Sequence, residues 1–100
     1  MYGKGVYFAR DASYSHQYTN LGAVANNAAF NRNKLHGHLF MCKVLIGYSA
    51  QGSTQMECKN LPKSQDGSPV DSTVNSIHDP SIFVIYHDAQ AYPEYLITYM

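Results

Sequence analysis

Tryptophan is absent from this chain, and so is an excess of charge of either sign. Seven Lys and Arg are scattered against seven Asp and Glu, for a formal net charge of zero. No basic stripe points to direct nucleic-acid binding, and no polybasic cluster points to a membrane surface. No apolar run reaches the length of a bilayer span. The start, Met1-Tyr2-Gly3-Lys4-Gly5, carries no apolar region of the signal-peptide kind. Two cysteines, Cys42 and Cys58, do not make a disulfide framework. A reducing, intracellular compartment is therefore expected, nucleus or cytoplasm, with Cys42 a buried thiol in an apolar run. Acids are few, and no two are spaced for paired general acid and base work. No Ser-His-Asp or Cys-His signature occurs.

What is present describes one small globular domain. Hydrophobic residues make up 45% of the 100 residues and charged residues 14%, a balance that excludes a disordered chain. Nine tyrosines stand out. A tyrosine offers a flat apolar face with a polar tip, which suits a site that stacks a planar ring. Tyrosines also fill half-buried strands, and that accounts for most of the nine.

Along the chain, Gly3 to Ala9 reads as a tight glycine turn feeding a short strand. Asp11 is a plausible N-cap for a helix over roughly Ala12 to Tyr18. Leu21 to Phe30 reads as a second, weaker helix, and residues 31–37 as a polar connection. His38 to Ile46 is a near-continuous apolar run, as in a strand buried on both faces. Residues 47–70 read as a long, partly irregular excursion. Asp71 to Ser76 reads as a short edge strand. Ile82 to Tyr86 and Tyr95 to Tyr99 are two further strands. Pro93 between them fits a loop or edge position, and Glu94 a surface loop. The class is α+β, a mostly antiparallel sheet with short helices. Three or four strands and one short helix leave faces and edges uncovered, so a thin core is expected.

Three short patterns bear on chemistry. In "GKGVYFARDASYSHQY", residues 3–18, Ser15 and Tyr18 are three apart and share a face of a helix, while Tyr14 points elsewhere. With Tyr7 they would form a slot for a flat ring bearing an amide, two aromatic faces and one hydroxyl, although ordinary packing explains the same spacing. Gly3-Lys4-Gly5 lacks the spacing of a phosphate loop and precedes a strand, so a close backbone approach is the simpler reading. His36-Gly37-His38 has no neighbouring carboxylate or cysteine to complete a metal site, and no metal is expected. His16, His78 and His87 read as surface residues.

"YGKGVYFARDASYS..Y" together with "DPSIFVIYHDAQAYPEYLI" resembles the catalytic domain of the poly(ADP-ribose) polymerase family, the diphtheria-toxin-like ADP-ribosyltransferases. "FMCKVLIG" is similar to the family strand between the two motifs, and "YPEYLI" to the mono-ADP-ribosylating members. The resemblance covers nearly the whole chain. It implies that a nicotinamide ring lies between Tyr7 and Tyr18 with Ser15 on its carboxamide. It also implies that Gly5, Phe8 and Ala9 belong to the NAD+-binding set. Counting back from "AQ" in "HDAQ", the family's catalytic glutamate falls on Ile82. A His-Tyr-Ile type enzyme follows, with Tyr7 and Ile82 at the catalytic positions. It would move one ADP-ribose from NAD+, a consumed substrate, to a protein acceptor. The family's histidine lies in a His-Gly segment upstream of the "YGKG" turn. Residues 1–100 thus resemble the C-terminal part of the domain, inactive alone. The alternative is an inactive interaction module of the same fold.

Overall fold

The computed structural model describes residues 1–19, 37–57, 60–63 and 67–99. The expected second helix over Leu21 to Phe30, together with His36 and Cys58, lies outside the described residues. The chain divides into two compact units. One comprises Met1–Arg10 and Val44–Ala91, the other Asp11–Lys43 and Tyr92–Met100.

The first unit holds a four-stranded sheet. Its strands are β1 (Val6–Ala9), β3 (Ser49–Gln51), β4 (Ser72–Val74) and β5 (Ile82–Ile85), in the spatial order β1-β5-β4-β3. β1 and β4 run antiparallel to β5, and β3 runs parallel to β4. Strand β5, Ile-Phe-Val-Ile, is apolar on both faces because it lies inside the sheet and both its sides must be covered. Strand β4 corrects the edge-strand expectation for Asp71 to Ser76. It lies between β5 and β3, and Ser72, Thr73 and Val74 are all buried. Its polar residues hid that position, since Ser and Thr survive burial only when bonded. Ser72 Oγ donates to Ile46 O at 2.9 Å, and Thr73 Oγ1 to Tyr2 O at 2.8 Å. The expected irregular excursion contains β3, with Gly47 at a φ of 58° leading into it. Among the described residues the buried apolar side chains are Val70, Val74, Ile82, Val84 and Ile85, a small core that lies wholly in this unit.

The second unit holds α1 (Ala12–His16) and nearly all of a two-stranded sheet, β2 (Gly37–Val44) with β6 (Ala91–Tyr99). His38 Nδ1 lies 3.1 Å from Thr98 Oγ1 and Lys43 Nζ 3.2 Å from Glu94 Oε1, so the partner number falls as the residue number rises and the pair is antiparallel. Among the described residues most pairings are thus antiparallel and helix is scarce, in keeping with the α+β class. The apolar run expected to be buried on both faces is not. Phe40 and Met41 in β2 are exposed, and among the described residues β2 has a strand partner on one side alone. Cys42 is half-buried rather than buried. Strand β6 begins earlier than expected and includes Pro93 and Glu94, the proline tolerated because β6 is an edge. No helix among the described residues is long and apolar enough to cross a membrane.

Candidate active site

The register of the four-stranded sheet sorts its side chains. Opposed residues of an antiparallel pair share a face, and successive residues alternate. Tyr7 opposes Val84 and Ala9 opposes Ile82, so these four share one face, joined by Thr73, which also opposes Val84. Val6 opposes Ile85 and Phe8 opposes Phe83 on the other face. Thus Tyr7, Ala9 and Ile82, far apart in sequence, stand together, with Ile82 buried at 7% exposure. Phe8 stands on the opposite side. There it lines, with Val6 and Ile85, a cavity of about 220 Å³ that also touches Lys4, His87 and Asp88.

The glycine turn lies over the Tyr7 face and three hydroxyls hold it. Tyr7 Oη donates to Gly3 O at 2.8 Å and accepts from Tyr2 N at 2.8 Å. Thr73 Oγ1 has one proton and gives it to Tyr2 O, so Tyr86 Oη is the donor in their 2.7 Å contact. Lys4 N donates to Met56 O at 2.7 Å, and Lys4 Nζ pairs with Glu57 at 3.1 Å. Gly3 has a φ of 142°, where a side chain is strained, and a Cβ there would meet Tyr86 Oη. A Cβ on Gly5 would fall 2.3 Å from Ile85 O. The glycines therefore serve close backbone approach. Tyr7 is thus fixed at its polar tip.

Ser15 and Tyr18 belong to the second unit. Asp11 stands at the N-cap of α1 with extended backbone and no side-chain cap hydrogen bond. The helix ends at His16, two residues short of expectation, and Tyr18 follows in a turn closed by its N–H on Ser15 O at 3.0 Å. Tyr18 is 70% exposed. Tyr14 does not point away from it. The two rings lie 5.5 Å apart and tilted by 52°, with their hydroxyls 3.1 Å apart. Four residues bring side chains together on a helical turn as readily as three. His16, expected on the surface, is half-buried, with Nδ1 2.5 Å from Tyr99 Oη. Glu94, expected in a loop, is a strand residue paired with Lys43.

Two residues escaped the sequence reading. Gln90, at the end of a short 3₁₀ turn over Asp88–Gln90, donates to Leu45 O at 3.1 Å and Asp71 O at 2.8 Å. Its Oε1 accepts from His87 N at 3.2 Å. Asn75 binds the backbone at the start of β5. Asp79-Pro80 just before β5 is a turn signal, and it marks the loop without marking the side chain that closes it. Among the described residues no three His, Cys, Asp or Glu side chains converge as a metal site would require.

Comparison with known proteins agrees with the motifs. The poly(ADP-ribose) polymerase catalytic domain family matches residues 1–100. The protein mono-ADP-ribosyltransferase PARP12 of Mus musculus is 42% identical over 99 residues, covering 98% of this chain and 12% of that protein. Human PARP14, of the same description, is 35% identical over 101 residues, covering 98% and 5%. PARP11 of Mus musculus is 36% identical over 115 residues, covering 99% and 33%. The chain therefore spans a small part of the length of the relatives it matches. A match along its whole length, on a chain of α+β architecture, establishes that it belongs to the poly(ADP-ribose) polymerase catalytic domain family.

Proposed function

We propose that this chain forms the C-terminal part of an NAD+-dependent mono-ADP-ribosyltransferase domain. The domain would transfer one ADP-ribose to a protein acceptor and release nicotinamide. The observation that carries the reading is Ile82. It is buried opposite Ala9 on the face that bears Tyr7, and counting back from "AQ" in "HDAQ" the resemblance puts the glutamate of polymerising members at this position. The names of relatives such as PARP12 support the same class. An intracellular site of action, nucleus or cytoplasm, belongs to this reading.

In it the Tyr7 ring, held by its hydroxyl on the Gly3 turn, stacks on nicotinamide. Tyr18 is the second stacking ring, and the Ser15 hydroxyl bonds the carboxamide. Gly5 and Ala9 present backbone and a small side chain towards NAD+, and Phe8 contributes through its backbone. The bond that breaks joins nicotinamide nitrogen to the ribose anomeric carbon. Positive charge develops on that sugar, and an acceptor nucleophile from the protein substrate completes the transfer. Ile82 offers no oxygen to accept a proton or to orient a sugar hydroxyl, so an ADP-ribose chain cannot be extended there. Stabilisation of the developing charge falls to the phosphates of NAD+ and to an acidic acceptor side chain.

The test uses the complete domain. Incubation with NAD+ should give single ADP-ribose units on protein. Long chains cut by a glycohydrolase that cleaves only between ADP-ribose units would overturn the placement of Ile82 and the single-transfer reading together. By titration calorimetry with a nicotinamide analogue, Tyr18→Ala and Ser15→Ala should each weaken binding by about 1–3 kcal/mol. Because Tyr14 touches Tyr18, Tyr14→Ala should weaken it by a smaller amount.

A further inference from the structure

We infer that Asn75 is a positioning residue for Ile82, and that its side-chain carbonyl oxygen holds the first residue of β5 on the face it shares with Tyr7. The catalytic part of this inference rests on the function proposed above. The hydrogen bonds themselves do not.

Strand β5 begins at Ile82, directly after the five-residue loop Ser76–Pro80 and Ser81. The first residue of a strand is where pairing ends, and a slip of one residue would exchange the faces of Ile82 and Phe83. Asn75 closes that end. Its Oδ1 accepts from Ser81 N at 3.0 Å and Ile82 N at 3.1 Å, which occupies both lone pairs. Its Nδ2 donates to Ser81 Oγ at 3.0 Å, and its own N–H donates to Ile82 O at 3.2 Å. Asn75 is itself anchored, because Gln51 Nε2 on β3 donates to Asn75 O at 2.7 Å. From the other side Arg10 N donates to Ser81 O at 2.8 Å, and the Arg10 guanidinium reaches Asp79 and Pro80 O, each at 3.4 Å. Ser81 and Ile82 are thus gripped by one half-buried side chain within a frame drawn from Arg10, directly after β1, and from Gln51 on β3. Removing the side chain leaves two N–H groups without their partner beside a buried isoleucine, and the start of β5 is then free to fray.

The discriminating variants are Asn75→Ala and Asn75→Asp. A carboxylate keeps both acceptor contacts, and the Ser81 hydroxyl can turn to donate to it, so Asn75→Asp should behave like the wild type. In the complete domain Asn75→Ala should lower kcat/KM for NAD+ about ten-fold or more, because a frayed start of β5 displaces the face that Ile82 shares with the Tyr7 ring. In an Ile82→Ala background the same change should cost little further, because the residue through which it acts is already truncated. Amide hydrogen exchange at Ser81 and Ile82 should accelerate in Asn75→Ala and not in Asn75→Asp. Multiplicative losses in the double variant, or exchange unchanged by Asn75→Ala, would overturn the inference. A wild-type domain that neither binds nor consumes NAD+ would overturn the functional reading and, with it, the effect of Asn75 on turnover. The exchange measurement would still decide whether the latch exists.

Discussion

The four-stranded sheet and the β2–β6 ribbon are built from similar residues and meet opposite fates. β5 (Ile-Phe-Val-Ile) and the middle of β2 (Leu-Phe-Met-Cys) are equally apolar, yet Ile85 is 2% exposed and Phe40 66%. The difference lies in neighbours. Among the described residues β5 has a strand on each side, whereas β2 is paired with β6 alone. Apolar composition therefore measures what a strand would gain from burial, and sheet position decides whether it is buried. The same contrast separates the two tyrosines proposed to stack on nicotinamide. Tyr7 spends its hydroxyl on its own turn, whereas Tyr18 is mostly exposed and its hydroxyl lies 3.1 Å from that of Tyr14.

The comparison breaks most visibly at the core. Denaturant unfolding of the complete domain should show Ile85→Ala destabilising by about 2–5 kcal/mol, the cost of truncating a buried isoleucine. Phe40→Ala should stay within about 0.5 kcal/mol, as for an exposed residue. Equal costs would mean that another part of the protein covers β2, and the contrast between the sheets would disappear.

A smaller effect is expected at the turn over the Tyr7 face. Gly3→Ala adds a Cβ where φ is 142° and Tyr86 Oη already stands. It should cost about 1–3 kcal/mol by the same unfolding assay, the scale of a residue forced into a sparsely populated conformation. Pairing it with Tyr86→Phe should recover part of that loss, because the atom in the way is the hydroxyl. No recovery would show that backbone strain alone is responsible.

The smallest effect separates the two tyrosines. Tyr7→Phe should lower stability by about 0.5–1.5 kcal/mol, because Tyr2 N and Gly3 O lose their common partner. Tyr18→Phe should change it by no more than about 0.5 kcal/mol, its hydroxyl being at an exposed position. Thermal melts of the two single variants measure both. A Tyr18→Phe loss as large as that of Tyr7→Phe would mean that the Tyr18 hydroxyl bears on the fold as well.

Much of this was legible in order along the chain. The Gly3–Gly5 turn, β1, β5 and the α+β class follow from glycine placement, β-branched and aromatic runs and turn residues, which act locally and leave a local mark. The family was legible because its motifs are contiguous: "YGKGVYFA" and "YPEYLI" are read without knowing what they touch. What the residues alone did not reveal depends on pairing across distance. Ser72, Thr73 and Val74 read as an edge strand and lie inside the sheet, because β3 and β5 come from segments more than twenty residues before and about ten after them to pair on either side. Tyr14 meets Tyr18 four residues on, a spacing that brings side chains together as readily as the three between Ser15 and Tyr18, and the sequence did not choose between them. Asn75 is one polar residue in a polar loop until the fold brings Ser81 and Ile82 back to it. Sequence determined which side chains are available and which strands they prefer. The tertiary structure decided which face each one occupies, because a strand's register is set by its partners, and its partners lie elsewhere in the chain.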